Sequence, residues 1–274
     1  MTTIDTLLDQ VEALPSSPQI LPKLLAALDE PDADVSRITD LVSFDPGLTA
    51  KLLTVCNSAA FSSGSPVTDI GEAVNRIGLR EIYRLVAGLA GKSGLQSAKP
   101  IPGFDTDALW KHCVTAALAA QLMAQDLGDD ASSVFTAALL HDAGKVILAG
   151  VHRERYTRLL QHGSPSPQGL VQQEQILFGV HHADVGARLL EKWNFPAEMV
   201  AGVKHYPSPA QAGTAQRMAS YVHLGDALAC QLEAPDTTPA PEALEVLGQT
   251  PETFAQYRDR TLENFEFVNA LCRL

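Results

Sequence analysis

An apolar stretch, Ala137-Ala138-Leu139-Leu140, runs directly into His141-Asp142, and a small-residue turn then brings Gly144 and Lys145. Imidazole nitrogen and carboxylate oxygen are both ligands for divalent transition metals. Side by side at the end of a buried helix, they can converge on one ion. Further groups of the same type lie elsewhere. His112 falls upstream on an expected helix, and His182, His205 and Asp226 fall downstream on separate expected helices. The alternative is a closed polar core in which these groups hydrogen-bond one another, because buried polar groups need partners.

The scaffold that must position them reads as helix after helix, with no alternating strand pattern of useful length. Short amphipathic helices are expected over 3–13, 18–30 and 35–43, the last capped by Asp34. Asp45-Pro46 signals a start, a capping carboxylate followed by Pro at the first helical position. Asp69 should cap a helix over 70–77, Gly78 should break it, and another should run from 79 to 90. Gly91, Gly94, Pro100, Pro102 and Gly103 mark the best internal boundary. Beyond it, Asp105, Thr106 or Asp107 caps a helix to Leu127, and Ser132 or Ser133 caps the one that carries His141-Asp142. Helices are expected at 153–162 and 168–179. His181-His182 opens the next, and Pro196 starts one that ends near His205. A helix over 214–231 carries Asp226. Residues 233–241 have linker composition, and a last helix runs from Thr250-Pro251 to about Ala270.

With 274 residues, 46% hydrophobic and 19% charged, the chain has the composition of a globular protein with a sizeable core. Its net charge of −12 argues against general binding to nucleic acid or to an anionic membrane surface. Cys56, Cys113, Cys230 and Cys272 are widely spaced without a CxxC pair, which fits reduced thiols in the cytoplasm. The N-terminal residues do not read as a signal peptide. No uncharged apolar run approaches the roughly 20 residues of a membrane span.

Many of these residues match a known pattern. Leu14-Pro15, Asp45-Pro46, Asn57-Ser58, Ile70 to Ala73 and Ile77-Gly78 resemble the HDOD domain, a bacterial signalling module related to the HD superfamily. The likeness continues with Trp110, His112, His141-Asp142, Gly144-Lys145, His182 to Ala187, Trp193 to Pro196 and His205-Tyr206-Pro207, and covers roughly residues 10–230. It implies an all-α HDOD-like fold, an N-terminal helical subdomain (1–100) packed on an HD-like bundle (101–232). Residues 233–274 form a C-terminal linker and helix outside the likeness.

The resemblance also assigns roles. In the HD metal pattern, His112 takes the first position, His141-Asp142 the doublet and Asp226 the last. His182 fits an additional histidine of the HD-GYP phosphodiesterases, and His205 the first of their histidine pair; Tyr206 stands at the second. The implied cofactor is a divalent transition metal, Fe, Mn or Zn. Asp142 and Lys145 are the implied catalytic groups, with Lys145 placed to hold a phosphate oxygen. The missing Gly-Tyr-Pro signature argues against cyclic di-GMP hydrolysis.

Two function classes follow. One is a regulatory module that acts through contacts with a signalling protein partner. The other is a metal-dependent phosphohydrolase for a nucleotide or cyclic nucleotide. Arg76, Arg80 and Arg84, spaced i, i+4, i+8, offer a basic face for an acidic partner if they share one exposed helix face. His152, His162, His181 and His223 read as solvated or capping residues.

Overall fold

The computed structural model describes residues 4–9, 20–28, 38–39, 41–42, 46–58, 61, 67–96, 101–161 and 167–264. Leu14-Pro15, Asp34, Asp45, His162 and the expected helix beyond Asn264 lie outside these residues. No strand occurs among the described residues; the one β feature is an isolated bridge between Ile101 and Phe104.

The N-terminal helices are α1 (Ile4–Asp9), α2 (Ile20–Leu28), α3 (Pro46–Cys56), α4 (Ile70–Ile77) and α5 (Leu79–Gln96). Asp69 caps α4 through a bond from Glu72 N at 2.8 Å, and Gly78 ends it at φ +96°. Helix α5 runs through Gly91 and Gly94, so the expected boundary begins later than the glycines suggest. Glycine weakens a helix without forbidding it, and buried residues such as Val86, Ala87 and Leu89 hold this one in place. Asn57 braces the end of α3: its side chain accepts from Val67 N at 2.7 Å and donates to Val67 O at 2.9 Å.

The arginine stripe does not form. The break at Gly78 puts Arg76 on a different helix from Arg80 and Arg84. Arg76 pairs with Glu72 at 2.6 Å, and Arg84 pairs with Glu81 at 2.7 Å while its guanidinium covers the Phe135 ring. Arg80 alone of the three is exposed.

The second half contains α6 (Thr106–Leu127), α7 (Ala131–Leu140), α8 (Ala143–Val151), α9 (Arg153–Gln161), α10 (Pro167–Phe178), α11 (His182–Lys192) and α12 (Ala197–His205). Two 3₁₀ turns lead into α13 (Gln216–Glu233), followed by α14 (Pro241–Val246) and α15 (Pro251–Glu263). Asp105 caps α6 through the amides of Asp107 and Ala108 at 2.9 and 3.0 Å. Asp130, not Ser132 or Ser133, caps α7: its carboxylate accepts from both serine amides, at 3.0 and 3.2 Å. The aspartate two residues earlier reaches the orphan N–H groups that a serine inside the first turn cannot.

Helix α7 is buried on every side from Val134 to Leu140, as a helix without a polar face must be. It packs on α6, α5, α12 and α13, and α6 packs along α13. Tyr83 of α5 and Thr136 of α7 share a buried hydrogen bond that ties the two halves together. One hydrophobic core runs from Leu7 to Tyr257 and crosses both expected subdomain boundaries. Residues 131–151 are long and apolar enough to span a membrane by length and composition, although Asp142 and Lys145 interrupt the run and most of it is buried inside the fold. Apolarity here serves the core.

Candidate metal centre

Four helix positions supply the centre. His112 comes from the second turn of α6, His141-Asp142 from the α7–α8 junction and Asp226 from the middle of α13. Two backbone approaches bring these helices together. At Gly225 of α13 an added Cβ would lie 2.4 Å from Ala116 O of α6. At Gly144 of α8 it would lie 2.0 Å from His182 O of α11. Only glycine permits contacts this close.

The four side chains converge. His112 Nε2 lies 3.0 Å from Asp226 Oδ1 and 3.7 Å from Asp142 Oδ2. His141 Nε2 lies 3.4 Å from Asp142 Oδ2 and 3.5 Å from Asp226 Oδ1. Ligand atoms at about 2.1 Å from a shared ion are about 3.0 Å apart at a right angle and about 3.4 Å apart in a tetrahedron. The observed separations fall around those values. Cys230 Sγ lies 3.7 Å from Asp226 Oδ1, at the margin.

His141 shows what the centre lacks. Its Nδ1 is 2.6 Å from Ala138 O, so Nδ1–H donates to that carbonyl and Nε2 carries the lone pair. His141 is fully buried, and Nε2 has no hydrogen-bond partner. An orphaned lone pair facing two carboxylate oxygens is repulsive unless a cation stands between them. Two imidazole nitrogens and two carboxylate oxygens fit a divalent transition metal.

The charges agree. Burial alone would raise the Asp142 carboxyl, but His141, Lys145, His182 and His112 outweigh it and hold Asp142 far below the usual carboxylate range. Burial also opposes ionisation of Asp226, which the hydrogen bond from His112 and the charges of His112 and His141 keep well below its ordinary value. Burial would lower His141; the Asp142 and Asp226 charges overcome it and raise it, so Nε2 draws in a cation, a proton when metal is absent. The centre attracts positive charge.

Lys145 reaches in rather than out. Its Nζ donates to Asp142 Oδ2 at 2.6 Å, and its side chain is 18% exposed. His182 stands beside the cluster with both ring nitrogens engaged. Nδ1 meets Glu174 Oε2 at 2.5 Å and Nε2 meets the Tyr206 hydroxyl at 2.6 Å, leaving 3.6 Å to Asp142 Oδ1. Tyr206 donates its one proton to Asp142 Oδ1 at 3.0 Å. Glu174 also accepts from Tyr156 Oη and from His182 N, each at 2.8 Å. The result is a buried chain, Tyr156–Glu174–His182–Tyr206–Asp142.

The structure does not bring His205 into this cluster. It is partly exposed, and the charges that act on it are those of Lys204 and Asp184. Successive residues of a helix point about 100° apart, so one member of the pair turns inward, and that member is Tyr206. Sequence reasoning missed Tyr206 and Glu174. Glu174 had a legible signal: it shares a helical stripe with Leu170, Leu177 and Phe178, where a lone carboxylate must find a buried partner. His181 caps α11 through Asp184 N at 3.4 Å, and His223 bonds backbone on both sides.

Relatives place the fold. An uncharacterised protein of Treponema pallidum (strain Nichols) is 29% identical over 202 residues, which is 72% of this chain; the chain spans 38% of that relative's length. A candidate signal transduction protein from Marinobacter aquaeolei VT8 superposes with a TM-score of 0.78 at 23% identity, over 98% of this chain and 60% of the other. A candidate phosphohydrolase from Shewanella amazonensis SB2B superposes with a TM-score of 0.73 at 21% identity, over 97% of both chains. At these identities the structural likeness establishes the fold alone. The family model of the HDOD domain matches residues 14–209, a span that holds His112, His141 and Asp142 and stops before Asp226. Mostly helical, with no strand among its described residues, and matched over most of its length, the chain belongs to the HDOD domain family.

Proposed function

We propose that this chain is a cytoplasmic signalling module with a single-ion centre for Fe, Mn or Zn, held by His112, His141, Asp142 and Asp226, whose state is passed on through protein contacts. The observation that carries the metal reading is the orphaned Nε2 of buried His141, set among two carboxylate oxygens and a second imidazole. One ion, rather than two, follows from the engagement of His182. A second ion beside Asp142 Oδ1 would have to displace the Tyr206 hydroxyl from both His182 and Asp142. The modular role is supported by family membership and by limited access: His141 and Asp142 are wholly buried, and Asp226 is 8% exposed at its side chain.

The second reading is metal-dependent hydrolysis of a nucleotide or cyclic nucleotide. A bound divalent ion would supply an acidified water at neutral pH. The ionised Asp142 and the adjacent Lys145 ammonium favour this reading, since they would place a metal ligand and a cation side by side where a phosphoester enters. Tyr206 would hold Asp142 in place, and Glu174 would hold the ring of His182 against Tyr206.

Metal analysis of protein purified with Mn, Fe or Zn supplied tests the centre. About one ion per chain is expected in wild type and none in Asp142→Ala or His141→Ala; an equal metal content in all three rejects the site. A panel of phosphoesters then separates the two readings. Turnover that needs metal and is lost in Asp142→Ala selects the enzyme; no turnover by fully loaded protein selects the module.

A further inference from the structure

Lys145 is the strangest member of the centre. A lysine at the mouth of a phosphate site should reach toward solvent. This one reaches toward Asp142, at 2.6 Å. The oxygen it takes is Oδ2, the same atom that lies 3.4 Å from His141 Nε2 and 3.7 Å from His112 Nε2. The other oxygen of Asp142 already accepts from Tyr206. The ammonium therefore sits on the carboxylate oxygen that faces the proposed ion.

Charge supports the same conclusion. Asp142 and Asp226 bring two negative charges into a closed core with two imidazoles. Without a metal, carboxylates buried this deeply need a cation to remain ionised. Lys145 provides one positive charge on a flexible four-carbon stem. That stem starts in the first turn of α8, and its partial exposure leaves a way out to solvent. A divalent ion bound to the same oxygen would face the ammonium at close range, in surroundings that screen poorly.

We propose that Lys145 is an internal counter-cation that competes with the metal for Asp142. The ammonium closes the centre when metal is absent and is displaced outward when metal enters. This rests on the reading of His112, His141, Asp142 and Asp226 as metal ligands. It deepens that reading by naming what regulates occupancy. In the metal-free chain Lys145 neutralises Asp142 while His141 Nε2 is left without a partner, and the position of one side chain distinguishes the two states. Metal affinity is then held down by the work of moving the ammonium, which suits a centre that reports metal supply.

The experiment uses chelator-stripped full chain and Mn²⁺ alone. Calorimetric titration should show Lys145→Met and Lys145→Gln binding Mn²⁺ about tenfold more tightly than wild type, or more. Equal or weaker binding in the variants, with wild type binding normally, overturns the counter-cation and leaves the metal centre standing. No binding in wild type or in either variant rejects both. A readout on the unmutated chain covers the event that both variants misfold: acetylation of Lys145 by a water-soluble acylating reagent, followed by mass spectrometry. Mn²⁺ should raise its labelling rate several-fold relative to Lys204, which is exposed in the absence of metal. An unchanged or lowered rate overturns the proposal.

Discussion

His223 is held as a neutral imidazole from both sides. Its Nε2 accepts from Ala240 N at 2.9 Å, and its Nδ1 lies 2.9 Å from Tyr206 O, to which it donates. Burial lowers its proton affinity. The folded value therefore lies below the ordinary value of about 6.5, and the unfolded chain takes up this proton first as pH falls. Its contribution to stability is complete above about pH 6.5 and is lost progressively on acidification below it. Melting temperature should fall less steeply between about pH 7 and 5 in His223→Gln than in wild type; parallel slopes would remove the assignment. Glu174 offers a second test. Replacing it with Ala leaves His182 and the Tyr156 hydroxyl without their shared acceptor and should cost about 3 kcal/mol in urea unfolding. A loss within about 0.5 kcal/mol would mean that the buried chain carries little. The ligand-type residues are legible in the sequence because chemistry restricts what a His-Asp doublet can do. Tyr206 is not, because a phenol beside a histidine suggests no role until the helix shows which of the two faces inward.

Helix crossings decide whether the four ligands meet. Gly144 against His182 O and Gly225 against Ala116 O are points where two backbones touch, and a methyl group fits neither. Gly144→Ala should destabilise the chain by about 3 kcal/mol or more and reduce metal retention along with it, because α8 and α11 would be forced apart. Thermal melts and metal analysis of the same preparation check both effects. Unaltered stability would show that the crossing has room to adjust. At this scale most helices can be read from caps and breakers. Asp69, Asp105, Gly78 and Pro196 act as their types predict. The exceptions have local causes. Gly91 and Gly94 fail to stop α5, where tertiary burial overrides propensity. Asp130 takes the cap assigned to its neighbouring serines.

Across the whole molecule, the segment beyond the family match is part of the core. Asp226 itself lies on α13, after residue 209. Helix α14 packs on α13 and α15 packs on α6, burying Ala243, Leu244, Leu247, Phe254 and Tyr257. Tyr257 and Arg260 both bond to Asp126 of α6. Phe254→Ala should therefore cost about 3–4 kcal/mol and lower the single unfolding transition as a whole. A separate early transition, with the remainder melting unchanged, would show that α15 is an appendage. The composition of 233–241 gives no hint of this docking, because a linker reads the same whether the helix after it packs or not. At the other end, α1 lies against α8 and α11, with Leu7 and Leu8 buried and Asp5 bonded to Arg188 at 2.8 Å, 183 residues further on. Translation at about 5–20 residues per second delays the synthesis of that partner by about 10–40 s. For that interval the nascent chain carries two leucines that its own fold cannot yet cover. Of the helices in this chain, α1 is made first and is among the last to find its place.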